Sequence, residues 1–66
     1  MLANGVYRLK QDVTVSGDLK FKSGQEFEIV QNVVYMGGFP ISREVQSLIF
    51  NWMDKNQTLF QTDNRH

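Results

Sequence analysis

The sequence predicts a β-dominated α+β protein, a small twisted antiparallel sheet or partly open barrel with one C-terminal amphipathic helix. Three observations carry that expectation. Apolar and charged residues alternate through Asp18–Val30, with Leu19, Phe21, Phe27 and Ile29 on one side and Lys20, Lys22, Glu26 and Glu28 on the other, as the pleat of a strand requires. Turn-forming groups interrupt the chain at short intervals, at Ser16-Gly17-Asp18, Gln31-Asn32 and Gly37-Gly38. From Ser42 the period changes: Val45, Leu48, Ile49, Trp52 and Met53 fall at the i, i+3, i+4, i+7, i+8 spacing of one helical face.

The first strand is expected to run long or bent over residues 5–15. Tyr7, Leu9, Val13 and Val15 share one face, and Arg8, Lys10, Asp12 and Thr14 share the other. Gln11 is a polar residue on the inner side and marks a bend or bulge. Strands follow at about 19–22 and 26–30. With Ser23-Gly24-Gln25 as their turn, they form a hairpin in which Phe21 faces Phe27 and Leu19 faces Ile29. The same register sets Lys22 opposite Glu26 and Lys20 opposite Glu28, so apolar and ionic pairings agree.

Residues 33–36 read as a short strand, apolar on both faces and therefore central or covered. Gly37-Gly38 then bends the chain sharply and Phe39-Pro40-Ile41 leads out of the sheet. Ser42 is placed to cap a helix over about 43–55, with Glu44 in its first turn and Ile41 placed to staple the entry. Asn56 suits a left-handed cap at the far end. Thr58–Thr62 reads as either a last edge strand or an extended tail docked by Leu59 and Phe60, and residues from Asp63 to His66 are expected to fray. The expected core takes Tyr7, Leu9, Val13 and Val15 from the first strand and Leu19, Phe21, Phe27 and Ile29 from the hairpin. Tyr35, Val45, Leu48, Ile49 and Trp52 complete it.

Composition narrows function by exclusion. The chain is expected to fold as one domain over residues 1–66, a length near the lower end for folding without staples. It contains no cysteine, which removes disulfides and thiolate metal sites. Seven basic and seven acidic residues give zero net charge, so no strong field draws nucleic acid or an anionic membrane. No apolar run approaches the ~20 residues that span a bilayer, and Met1–Asn4 lacks the basic and apolar regions of a signal peptide. A cytoplasmic protein, in the host cytoplasm if viral, is the expectation.

The central segment resembles the core of SH3-like small β-barrels, in which an acidic residue, a Leu-x-Phe strand, a Lys-x-Gly diverging turn and a strand ending in Ile-Val recur in order. Here those positions are Asp18, Leu19, Phe21, Lys22, Gly24, Phe27, Ile29 and Val30. The resemblance covers about half the chain and implies a small barrel. Its proline-binding function does not transfer. The chain has no Ala-Leu-Tyr-Asp-Tyr run, no tandem Trp after the hairpin, and Ser42-Arg43-Glu44 where a second aromatic would follow Pro40.

Catalysis is disfavoured. The one histidine is His66 at the terminus, and without cysteine no nucleophile–imidazole pair or histidine-rich metal site assembles. Glu26 and Glu28 serve better as cross-strand partners of lysines than as a carboxylate pair. Gly37-Gly38 lacks the spacing and the Lys-Ser/Thr of a phosphate loop. The expectation is a protein with no catalytic residues, no cofactor and no metal, in which Phe50 carries the case for protein contact. Phe50 lies about 130° from the centre of the helix's apolar stripe at ~100° per residue, beside Arg43.

Phe50, Arg43, Met36, Phe39 and Phe60 form the expected interface for a protein partner or a second copy. An uncovered Val33–Met36 edge would offer strand addition. Such a chain suits a small accessory factor, for example one encoded by a bacteriophage. The alternative is a weak single-stranded nucleic-acid binder through Arg8, Lys10, Lys20 and Lys22, against which Asp12, Glu26 and Glu28 share the polar face.

Overall fold

The computed structural model describes residues 2–63, with the side chains of residues 2–62. It is β-dominated, with one helix, as the alternation and the change of period predict. The elements run β1 (Gly5–Leu9), β2 (Val13–Ser16), β3 (Leu19–Phe21), β4 (Glu26–Val30), β5 (Val33–Met36), β6 (Phe39–Pro40) and α1 (Arg43–Lys55). A 3₁₀ turn (Gln57–Leu59) then leads into β7 (Phe60–Asp63). Five strands form one antiparallel sheet in the order β6-β5-β4-β1-β7, while β2 and β3 form a separate two-stranded sheet, and no barrel closes.

The expected hairpin between β3 and β4 does not form. Polar groups lace the turn after β3 to the segment after β1 instead. The Ser23 amide donates to Asp12 Oδ1 at 2.8 Å, and Ser23 Oγ donates to the Lys10 carbonyl at 3.1 Å. The Gly24 amide donates to the Leu9 carbonyl, and the Leu9 amide to the Gln25 carbonyl, both at 2.8 Å. β4 therefore pairs with β1 and β3 with β2.

Alternation dictates which face a residue takes, not which strand lies beside it. Phe21 and Phe27 still meet, edge to face with centroids 5.0 Å apart, but as side chains from two sheets. The predicted ion pairs are replaced. Lys20 stands opposite Thr14, Glu26 opposite Arg8, and Glu28 between Val6 and Tyr35. Leu19 stands opposite Ser16.

The long first strand is likewise two strands. It breaks at Lys10–Asp12, where Gln11 bends the chain, and the bulge lies between Thr14 and Ser16. Gly37-Gly38 does not release the chain from the sheet. With φ of 61° and 87° it closes a two-residue hairpin, and Phe39 and Pro40 return as β6 opposite Met36 and Tyr35. Gln31 and Asn32 form a matching turn at φ of 48° and 67°. Positive φ at both central residues is the sense that fits twisted strands.

Ser42 precedes the helix but makes no side-chain cap bond, and Asn56 has φ of −125°, not a left-handed value. Asn56 instead closes the helix by donating from its backbone amide to the Met53 and Trp52 carbonyls and from Nδ2 to the Trp52 carbonyl at 2.8 Å. Beyond it the edge-strand alternative holds. Leu59 lies in the 3₁₀ turn and β7 pairs with β1 from Phe60 to Asp63. Asp63 is thus in the ladder rather than fraying, and residues 64–66, including His66, lie outside the described residues.

The core joins Leu2, Tyr7, Leu9, Phe27, Ile29, Val34, Ile49, Met53 and Phe60. Trp52 closes it on the side of the small sheet, stacked on Phe21 at 6.1 Å and edge-on to Phe60 at 5.3 Å. Leu48, expected inside, is 44% exposed, whereas Met53 is fully buried. Val34 rather than Tyr35 is the buried residue of β5. The buried face of α1 is rotated by roughly 50° from the face predicted at ~100° per residue, toward Gln46, Ile49 and Met53.

Candidate protein-interaction surface

The interior offers recognition nothing polar. Among the described residues no polar or charged residue is buried, and the buried side chains form one apolar cluster. Tyr7 is the nearest exception. Its ring is buried and its hydroxyl donates to the Ala3 carbonyl at 2.6 Å, while burial pushes the phenol above its usual pKa. No group of three His, Cys, Asp or Glu side chains is gathered among the described residues.

The structure divides the five expected interface residues. Phe39 is 74% exposed, the most exposed large apolar side chain among the described residues. It stands on β6 opposite the half-buried Met36. The two flank Gly37-Gly38, whose positive φ values favour glycine, and added Cβ atoms at both would meet nothing within 4 Å. The turn itself is therefore open to solvent. Arg43 follows a few residues later, exposed at the start of α1.

Phe60 does not belong to this surface. It is 4% exposed and meets Tyr7, Phe27 and Trp52 in the core, because pairing with β1 turns its side chain inward opposite Leu9. Phe50 is half-buried and packs against the core, since rotation of the helix brings it toward the sheet. Its remaining surface floors a shallow groove of about 270 Å³ rimmed by Asn32, Gln46, Ser47 and Asn51. Nor is Val33–Met36 an edge, because β6 covers it.

Gln46 is the surface-to-core residue that periodicity passed over. Its Oε1 accepts the Val34 amide at 2.9 Å, and its Nε2 donates to the Val34 carbonyl at 2.9 Å and the Ile41 carbonyl at 3.1 Å. The side-chain amide thus completes the ladder of β5 just where β6 ends. A glutamine on the flank of an apolar stripe was the available signal, since a polar side chain there needs a buried partner.

Of the four cations of the nucleic-acid alternative, Arg8 lies on β1 and Lys20 on β3, while Lys10 and Lys22 lie in the segments that Ser23 ties together. Arg8 grips Glu26 through Nη2 at 2.7 Å and Nε at 3.2 Å, both groups being more than half exposed. Lys10 Nζ donates to the Thr58 carbonyl at 3.3 Å. Lys20 lies on β3, and Lys22 follows it in the turn; both are exposed. One of the four charges is thus offset locally, and the others do not share a strand.

Leu48, a core position by its helical spacing, instead rims a second groove of about 230 Å³ with Val15, Trp52 and Lys55. The chain matches no protein-family model, and comparison with curated proteins and with solved structures returned no match.

Proposed function

We propose that this chain is a non-enzymatic interaction module that binds another protein through the β5–β6 hairpin tip, with Phe39 as its anchor. One observation carries the reading. Phe39 is three-quarters exposed on β6, directly after the tight Gly37-Gly38 turn. Aromatic side chains presented on rigid turns are favoured as contact residues because few rotamers are lost on binding. Met36 supplies an adaptable apolar neighbour and Arg43 a rim charge. Phe50 belongs to a secondary site in the amide-rimmed groove, and Phe60 supports the fold.

For ancestry we infer an SH3-like small β fold that stays open. The support is the antiparallel meander of β1, β4, β5 and β6, interrupted after β1 by the β2–β3 excursion. The helix between β6 and β7 is an addition to that plan.

The reading is tested by comparing the proteins retained by immobilised wild type and by Phe39→Ser, with matched melting curves. A specific protein held by wild type and released by the variant supports it. An unchanged retained set contradicts it. If wild type instead holds single-stranded nucleic acid in a salt-dependent manner, and joint substitution of Lys20 and Lys22 abolishes this, the alternative function replaces it.

A further inference from the structure

The two flanks of the five-stranded sheet are built differently. At the β6 flank the edge is two residues long. The Ile41 amide donates to the Val34 carbonyl at 3.1 Å, and Gln46 takes the Val34 amide. Strand alternation then turns Pro40 outward, and proline brings no N–H. That flank is closed to a further strand.

At the other flank β7 is four residues long and carries no proline, lysine or bulge, the devices that guard exposed edges. Its hydrogen-bond phase follows from the Lys10 amide, which donates to the Leu59 carbonyl at 2.9 Å. Leu59, Gln61 and Asp63 therefore bond toward β1, and Phe60 and Thr62 face away. The Phe60 amide is used by the Gln57 carbonyl. Among the described residues, the Phe60 carbonyl and both backbone groups of Thr62 are left at an edge with no strand beside it.

We infer that this edge pairs antiparallel with the β7 edge of a second copy, about a two-fold axis at Thr62. The sequence of the edge is self-complementary in that register. Thr62 stands opposite its own symmetry mate as a hydrogen-bonded, β-branched pair. Gln61, beside it, is exposed and carries no charge, so it sets no like charges across the axis. The contact is isologous and joins two five-stranded sheets into one. It rests on the interaction reading and names one partner for it, using the opposite flank of the sheet from the Phe39 tip.

Light scattering of the whole chain over a concentration series tests this, with hydrogen exchange at the Thr62 amide alongside. The mass should climb from 7.7 kDa toward twice that value, and the Thr62 amide should gain protection in step. Thr62→Pro removes the outward N–H and no hydrogen bond to β1, so it should stay folded and remain monomeric at every concentration. Thr62→Lys, which sets two cations on the axis, provides the same check should the proline variant misfold. A wild type that is monomeric throughout overturns the inference and leaves the Phe39 reading standing. A dimer that survives the Thr62 variants also overturns it, and loss of that dimer in Phe39→Ser would move the self-contact to the tip.

Discussion

The Gln46 side-chain amide meets both backbone groups of Val34 at 2.9 Å, acting as a one-residue strand beside β5. It holds α1 against the sheet and fixes the rotation of the helix. With Gln46 at the sheet edge, Ile49 and Met53 point into the core and Leu48 turns to solvent. Replacing Gln46 by Leu keeps much of the volume but orphans the amide of the buried Val34. Leaving such a group unsatisfied costs about 1–3 kcal/mol. Thermal unfolding should show a melting temperature lower by roughly 4–8 °C per kcal/mol for a domain of this size.

The rotation makes neighbouring helix positions unequal. Ile49→Ala should cost about 2–5 kcal/mol as a buried truncation, while Leu48→Lys should change stability by no more than about 0.5 kcal/mol. Chemical denaturation of both variants measures the difference. Equal losses would place the helix in the orientation that simple periodicity suggests.

Trp52 joins the two sheets through Phe21, Phe27 and Phe60. Its removal to Ala costs about 3–5 kcal/mol, and a chain this short has few kcal/mol to lose. Trp52→Ala should lose its cooperative melt, and Trp52→Phe should keep one at reduced temperature. A cooperative transition near the wild-type temperature in the Ala variant would contradict the arrangement.

Tyr7 sets an alkaline limit. Burial raises its folded pKa, so the neutral phenol is the form the fold favours. Its contribution is present in full below the unfolded value of about 10 and is lost as pH rises through the higher folded value. Stability should fall above about pH 10, and that fall should be shallower in Tyr7→Phe. Urea midpoints across alkaline pH give the comparison.

The Arg8–Glu26 pair is exposed on both sides and should couple by only about 0.2–1 kcal/mol. A double-mutant cycle should find that coupling reduced in high salt. Coupling that salt leaves untouched would place the pair in a drier setting than its exposure indicates.

Face assignments were legible in the sequence because alternation is local. Tyr7, Leu9, Phe27 and Ile29 are inside, and Arg8, Lys20, Glu26 and Glu28 are outside. Strand partners were not legible. The β1–β4 pairing depends on long-range bonds from Ser23 and Gly24 to residues 9–12, and no periodicity records these. The helix's existence followed from its spacing, but its rotation followed from Gln46, a polar residue outside the apolar pattern. The exposure of Phe39 is consistent with its place directly after a Gly-Gly turn. Phe60 was misplaced because its burial depends on β7 pairing with β1.

Whether Phe39 is a protein-contact residue is decided by a photo-crosslinking amino acid at position 39, with a matching substitution at Lys22 as the control, in cells that produce the protein. Position 39 should give a discrete protein adduct that is absent from position 22. Nucleic-acid adducts from position 22, with no protein adduct from position 39, would contradict it.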